Sequence, residues 1–110
     1  MKNIGKYIVA KTEAEFEAAC AKAPGPVVVE FTSTGCDACK DEAPKVKAMV
    51  KQCAVTVVKV DVYKVEALAE KFDVQSMPVF FVAPSGGQMT PEGAKELQDA
   101  KAVRKHLKAK

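Results

Sequence analysis

The chain has 110 residues, 48% of them apolar, and a formal net charge of +3. That length fits a single domain over residues 1–110 with a real core, and the apolar content excludes a disordered chain. The weak positive charge gives no ground for a nucleic-acid partner, and no apolar run is long enough to span a bilayer.

The first residues, Met1-Lys2-Asn3-Ile4-Gly5-Lys6-Tyr7, contain neither an apolar core nor a small-residue cleavage site. No signal peptide is therefore expected, and the chain is read as cytoplasmic. In that reducing setting its four cysteines are not a disulfide framework. They are catalytic, metal-binding or buried free thiols.

Tyr7-Ile8-Val9-Ala10 reads as a first strand. Thr12 and Glu15 stand at capping-box spacing and start a helix with Phe16, Ala19, Cys20 and Ala23 on one face, ended by Pro24-Gly25-Pro26. Cys20 is read as a small core residue. Val27 to Phe31 is apolar at consecutive positions apart from Glu30, the pattern of a central strand covered on both faces. The next helix runs from about Cys36 to Cys53. Its apolar stripe is Cys39, Ala43, Val46, Met49, Val50 and Cys53, and Pro44 should kink it. Cys53, at the far end of the stripe, is read as packing.

Val55 to Asp61 is a third strand, followed by a helix with Val65, Leu68, Ala69 and Phe72 inward. Val79 to Val82, directly after Met77-Pro78, is a fourth strand, and Pro84-Ser85-Gly86-Gly87 is a turn. A weak edge strand is expected over Gln88 to Thr90. A last helix is expected from Pro91 or Gly93, with Leu97, Ala100, Val103 and Leu107 inward. Arg104, Lys105, Lys108 and Lys110 suit the last turn of that helix, and His106 among them is read as a surface residue complementing the helix dipole. Strands alternating with helices predict a largely parallel sheet with helices on both faces, its reactive groups at the C-terminal ends of the strands.

At one such end lies Thr34-Gly35-Cys36-Asp37-Ala38-Cys39-Lys40. Two cysteines separated by two residues at a strand-to-helix junction form a redox motif in an α/β setting. The first meets the unpaired N–H groups and the dipole of a helix start, which favour its thiolate. The second lies one turn on, within reach of a disulfide. The carboxylate of Asp37 opposes a neighbouring thiolate, so Cys36 is expected to be less acidic and the pair reducing. The plainer reading of Asp37 is a helix-start residue.

These residues resemble the thioredoxin family over almost the whole chain. The resemblance rests on the Val-Val-Val-Glu-Phe run, Cys36-Asp37-Ala38-Cys39-Lys40, Pro44, Lys59-Val60-Asp61 and Ser76-Met77-Pro78. It implies an α/β thioredoxin fold: a mixed five-stranded sheet of order 1-3-2-4-5 flanked by four helices, with strands four and five antiparallel to the rest. It implies a cis Met77–Pro78 bond against the cysteine pair, where Met77, Pro78, Gly35 and Gly93 serve substrate binding. By resemblance Glu30 takes the proton from Cys39, directly or through water, and Lys59 pairs with Glu30. The plainer alternative is an exposed Glu30–Lys59 pair on a sheet edge.

The family usually reads Trp-Cys-Gly-Pro-Cys. Here Gly35 replaces the tryptophan, and Asp37 and Ala38 occupy the redox-tuning positions between the cysteines. The implied activity is thiol–disulfide oxidoreduction by a monomer acting on disulfide-containing proteins. No metal or organic cofactor is expected beyond the Cys36–Cys39 disulfide, and electrons are expected from an NADPH-dependent thioredoxin reductase. Two other readings compete: a thioredoxin-like binding or regulatory module with weak or no turnover, and a metal site shared between two chains through Cys36 and Cys39.

Overall fold

The computed structural model describes residues 5–108. Residues 1–4, on which most of the leader reading rests, and Lys110 of the basic cluster lie outside the described residues. The chain forms β1 (Lys6–Ala10), α1 (Glu13–Lys22), β2 (Val27–Thr32), α2 (Asp37–Cys53) and β3 (Thr56–Asp61). It continues with α3 (Glu66–Lys71), β4 (Val79–Ala83), a 3-10 turn (Gly86–Gln88), β5 (Lys95–Leu97) and α4 (Ala100–Lys108).

The five strands form one sheet of order β1-β3-β2-β4-β5. β3 pairs in parallel with β1 and with β2, and β4 is antiparallel to both β2 and β5. The expectation that strands four and five both oppose the rest is corrected here. Only β4 does, because two successive antiparallel pairings return β5 to the direction of β2.

β2 is the axis of the sheet, and all six of its residues are buried. Val27, Val29 and Phe31 face α1 and α3, in a core holding Phe16, Leu68, Phe72 and Phe81. Val28 faces α2 and α4, against Val46, Met49, Val57, Phe80 and Val103. Strand alternation explains the division: successive side chains point to opposite faces, so one consecutive apolar run supplies both cores.

Local chemistry sets the helix ends. The Thr12 hydroxyl accepts from the Glu15 N–H at 3.1 Å. The Glu15 carboxylate reaches back to the Lys11 N–H at 2.7 Å, one residue earlier than a standard capping box. α2 runs through Pro44 without ending, although the proline has no N–H to donate to the Lys40 carbonyl.

The region after β4 differs from expectation. Gln88 to Thr90 is no strand: the Gln88 N–H donates to the Ser85 carbonyl at 3.1 Å and closes a 3-10 turn. This turn packs directly on α1, where a Cβ on Gly86 would lie 1.8 Å from the Cys20 carbonyl oxygen. The segment expected to begin the last helix instead turns at Thr90, whose hydroxyl accepts from the Gly93 N–H at 2.9 Å. It then forms β5, so Leu97 reaches the core from a strand opposite Phe80. α4 starts at Ala100 because Asp99 caps it, accepting the Ala102 N–H at 2.8 Å. The Ala100 N–H is taken by the Glu42 carboxylate at 2.8 Å, tying α4 to α2. Lys105, His106 and Lys108 fall in the last turn of α4, as the charge pattern implied.

Candidate active site

β2 ends at Thr32, opposite Asp61 at the end of β3. A turn follows, closed by the Cys36 N–H donating to the Ser33 carbonyl at 3.3 Å. Gly35, the third residue of that turn, has a φ of +83°, which the third position of a type II turn demands and an L side chain resists. The turn delivers Cys36 to the N-cap of α2.

Cys36 and Cys39 form a disulfide, with Cα atoms 5.2 Å apart. The Cys39 N–H donates to the Cys36 Sγ at 3.1 Å, so the sulfur takes the place of an N-cap oxygen. A backbone donor and the helix dipole both favour negative charge on that atom. Cys36 is partly exposed, whereas Cys39 is buried at 7% exposure. The Cys36 sulfur is therefore the accessible one of the pair, and the Cys39 sulfur is the sheltered one. Asp37 and Ala38, between them, are exposed. Cys20 lies in α1 and Cys53 ends α2, so neither belongs to this cluster.

Behind the pair lies a cavity of about 240 Å³ lined by Glu30, Thr32, Cys36, Cys39 and Lys59, among others. Glu30 is 1% exposed, and its Oε1 has no hydrogen-bond partner. The exposed sheet-edge alternative for Glu30 therefore fails, since β2 is the middle strand. Burial pushes the Glu30 carboxyl up to about 7, while Lys59 and a hydrogen bond from the Tyr7 hydroxyl pull it down and the Glu42 carboxylate pushes it up. Lys59 stands opposite Glu30 in the β2–β3 register and acts on it through space rather than through an ion pair. The same burial, helped by Glu30, pushes the Tyr7 phenol up to about 12. A carboxyl that titrates near 7 beside a cavity large enough for water can both take up and release a proton at neutral pH.

The Met77–Pro78 bond is cis. Val79 pairs with Phe31 in the antiparallel register, so Pro78 sits beside the end of β2, at the same end of the sheet as Cys36. Gly93 is not brought there. β5 begins after it, with Lys95 opposite Val82, which puts Gly93 toward the other end of β4. The residue that leaves β5 at the active-site end is Gln98.

Three contributors escaped the sequence reading. Tyr7 and Glu42 act on Glu30 from β1 and α2. Asp61 bridges two loops, accepting the Thr34 hydroxyl at 3.1 Å and the Tyr63 N–H at 2.8 Å. An aspartate closing a β-branched strand run was the visible signal for the last of these.

The thioredoxin family model matches residues 7–109. Among individual proteins, an H-type thioredoxin of Chlamydomonas reinhardtii is 38% identical over 87 residues, covering 74% of this chain and 77% of the relative. A thioredoxin of Geodia cydonium is 34% identical over 100 residues, covering 87% and 94%. Among solved structures, reduced Schistosoma mansoni thioredoxin pre-protein superposes with a TM-score of 0.81 at 28% identity, covering 94% of this chain and 97% of that one.

Proposed function

The chain belongs to the thioredoxin family, and from that premise we propose the working cycle of its dithiol. It is a thiol–disulfide oxidoreductase that reduces protein disulfides. The observation that carries the cycle is the pairing of an accessible Cys36 sulfur at a helix start with a buried Cys39 that shares a cavity with a near-neutral carboxyl.

The Cys36 thiolate attacks one sulfur of a substrate disulfide. The substrate S–S bond breaks, its other sulfur leaves as a thiolate, and a mixed disulfide forms. Cys39 then gives its proton to Glu30, through water in the cavity, and attacks the Cys36 sulfur. The second substrate thiolate leaves. The substrate has gained two electrons, and Cys36–Cys39 has lost two. Lys59 keeps Glu30 ionisable in its buried setting, and the Pro78 turn offers the Met77 backbone to an extended substrate strand. Asp37 opposes charge on Cys36 and sets a reducing potential, roughly that of thioredoxins near −270 mV. Electrons return from an NADPH-dependent reductase in the cytoplasm, and the resident redox group is the disulfide itself. Among the described residues no helix is long and apolar enough to cross a membrane.

The test uses two variants. Cys36→Ser should lose turnover entirely, whereas Cys39→Ser should attack and then stall as a covalent adduct visible by mass spectrometry. A Cys39→Ser protein that accumulates no adduct with a disulfide substrate overturns the cycle.

A further inference from the structure

The aromatic residues of this chain are divided sharply by exposure. Phe16, Phe31, Phe72, Phe80 and Phe81 are all buried, and Tyr7 is partly buried under α2. Tyr63 alone among the described aromatics stands out of the surface, at 69% exposure. An isolated exposed aromatic is ordinary, so its position and rigidity decide whether it matters.

Position comes from the register. Thr32 and Asp61 are opposite one another at the C-terminal ends of two parallel strands. Tyr63 follows Asp61 by two residues, and Cys36 follows Thr32 by four, so both leave the sheet at the same end. A single carboxylate joins the two segments: Asp61 holds the Tyr63 N–H with Oδ1 at 2.8 Å and the Thr34 hydroxyl with Oδ2 at 3.1 Å. Thr34 is two residues from Cys36, at most about 7 Å of extended chain.

Rigidity comes from the same residues. The Val62 N–H donates to the Thr32 carbonyl at 2.9 Å, and the Val65 N–H donates to the Asp61 carbonyl at 3.0 Å. Val62 and Val65, on either side, are buried in the core. The backbone under Tyr63 is thus clamped while its ring is left in water. A held backbone leaves only the two side-chain torsions of the ring to be ordered, which lowers the cost of using it as an interface anchor. On the cysteine side of the clamp, Gly35 carries no side chain, and a Cβ there would have open space around it.

We propose that Tyr63 is a substrate-contacting residue, the apolar anchor beside Cys36 that favours protein disulfides flanked by an apolar side chain. This rests on the oxidoreductase reading and names the substrate feature that the site selects. The partner is an extended peptide segment whose disulfide cysteine is followed or preceded by a residue such as leucine. Its apolar side chain covers the ring as the sulfur reaches Cys36.

The experiment is single-turnover oxidation of the reduced protein by three disulfides: a cyclic peptide with leucine beside the cysteine, the same peptide with serine there, and bis-hydroxyethyl disulfide. For the unaltered chain the leucine peptide should react about tenfold faster than the serine peptide, the scale of one good apolar contact. Tyr63→Ala should erase that preference while keeping its rate with the small disulfide, its reduction potential and its melting temperature. Tyr63→Phe should keep the preference, because the ring is the working part. A preference that survives in Tyr63→Ala, or one absent from the unaltered chain, overturns the anchor role while leaving the oxidoreductase intact. Failure of the unaltered chain with the small disulfide as well overturns the oxidoreductase reading, and the anchor with it.

Discussion

The two faces of the sheet are built from the same strand and do different work. On the α1–α3 face, Phe31 meets Phe72 and Phe81 with ring centroids 5.5 and 5.8 Å away, and Phe72 and Phe81 lie 4.9 Å apart. The buried side chains of that face are apolar except for Thr56, which lies on the same side of β3 as Val58 and Val60. On the α2–α4 face the core is mostly valine, and β2 places Glu30 there, under the helix that carries the cysteines. Phe31 and Glu30 are adjacent in the chain. The contrast shows how a small domain houses an expensive group: one face supplies packing with little polar interruption, and the other accepts a buried acid beside the cysteine pair.

If the division is real, the faces should fail differently. The largest effect is expected from Phe31→Ala, which empties a fully buried ring site and should cost about 3–5 kcal/mol of stability. The reduction potential of the remaining folded protein should stay in place, because the cysteines lie across the sheet. Chemical denaturation together with a thiol–disulfide equilibrium titration measures both quantities. A shifted potential would mean that the aromatic face tunes the site after all.

Glu30→Gln should act in the opposite sense. The ordinary Glu value is 4.5, and burial pushes Glu30 to about 7. Below pH 4.5 the folded and unfolded chains both hold the proton, and the folded state carries no penalty. As pH rises toward 7 the unfolded chain ionises first, so stability present at low pH is lost, by roughly 3 kcal/mol in all. The glutamine variant has no such slope. It should therefore gain stability on the unaltered chain between about pH 4.5 and 7 while resolving mixed disulfides more slowly. Parallel denaturation curves at pH 4 and pH 8 decide this: an equal difference between the two proteins at both pH values removes Glu30 from the titrating groups.

The same two faces explain what the sequence made legible. β1 to β4 and α1 to α3 were readable because strong apolar patterns mark them, and Cys36, Cys39, Glu30 and the Met77–Pro78 step were visible as breaks in those patterns. β5 was not. Its three residues, Lys95-Glu96-Leu97, pair with one neighbour only, and two of them are exposed, so burial leaves almost no trace. The apolar spacing of Leu97, Ala100, Val103 and Leu107 then pointed to a helix from Pro91 or Gly93 that Asp99 in fact begins later. Tyr7 was hidden for another reason. Its hydroxyl meets Glu30 across an intervening strand, a contact that exists only once β3 is known to lie between β1 and β2. Pairwise chemistry between distant strands has no local signature.

The smallest effect separates backbone from side-chain causes at the active-site turn. Gly35 and Gly86 are both glycines in turns, one near each face. At Gly86 the obstacle is the Cys20 carbonyl, which a Cβ would overlap, so packing forbids a side chain. At Gly35 nothing lies within 4 Å of an added Cβ, and only the φ of +83° resists one. Gly35→Ala should thus cost about 1 kcal/mol, the steric penalty of a left-handed alanine. Gly35→Asn should cost less, because asparagine tolerates that region better. Equal losses for the two would mean that the turn reads side-chain size rather than dihedral angle. The absence of a bulky group before Cys36 would then be a packing requirement, not a consequence of how the turn presents its sulfur.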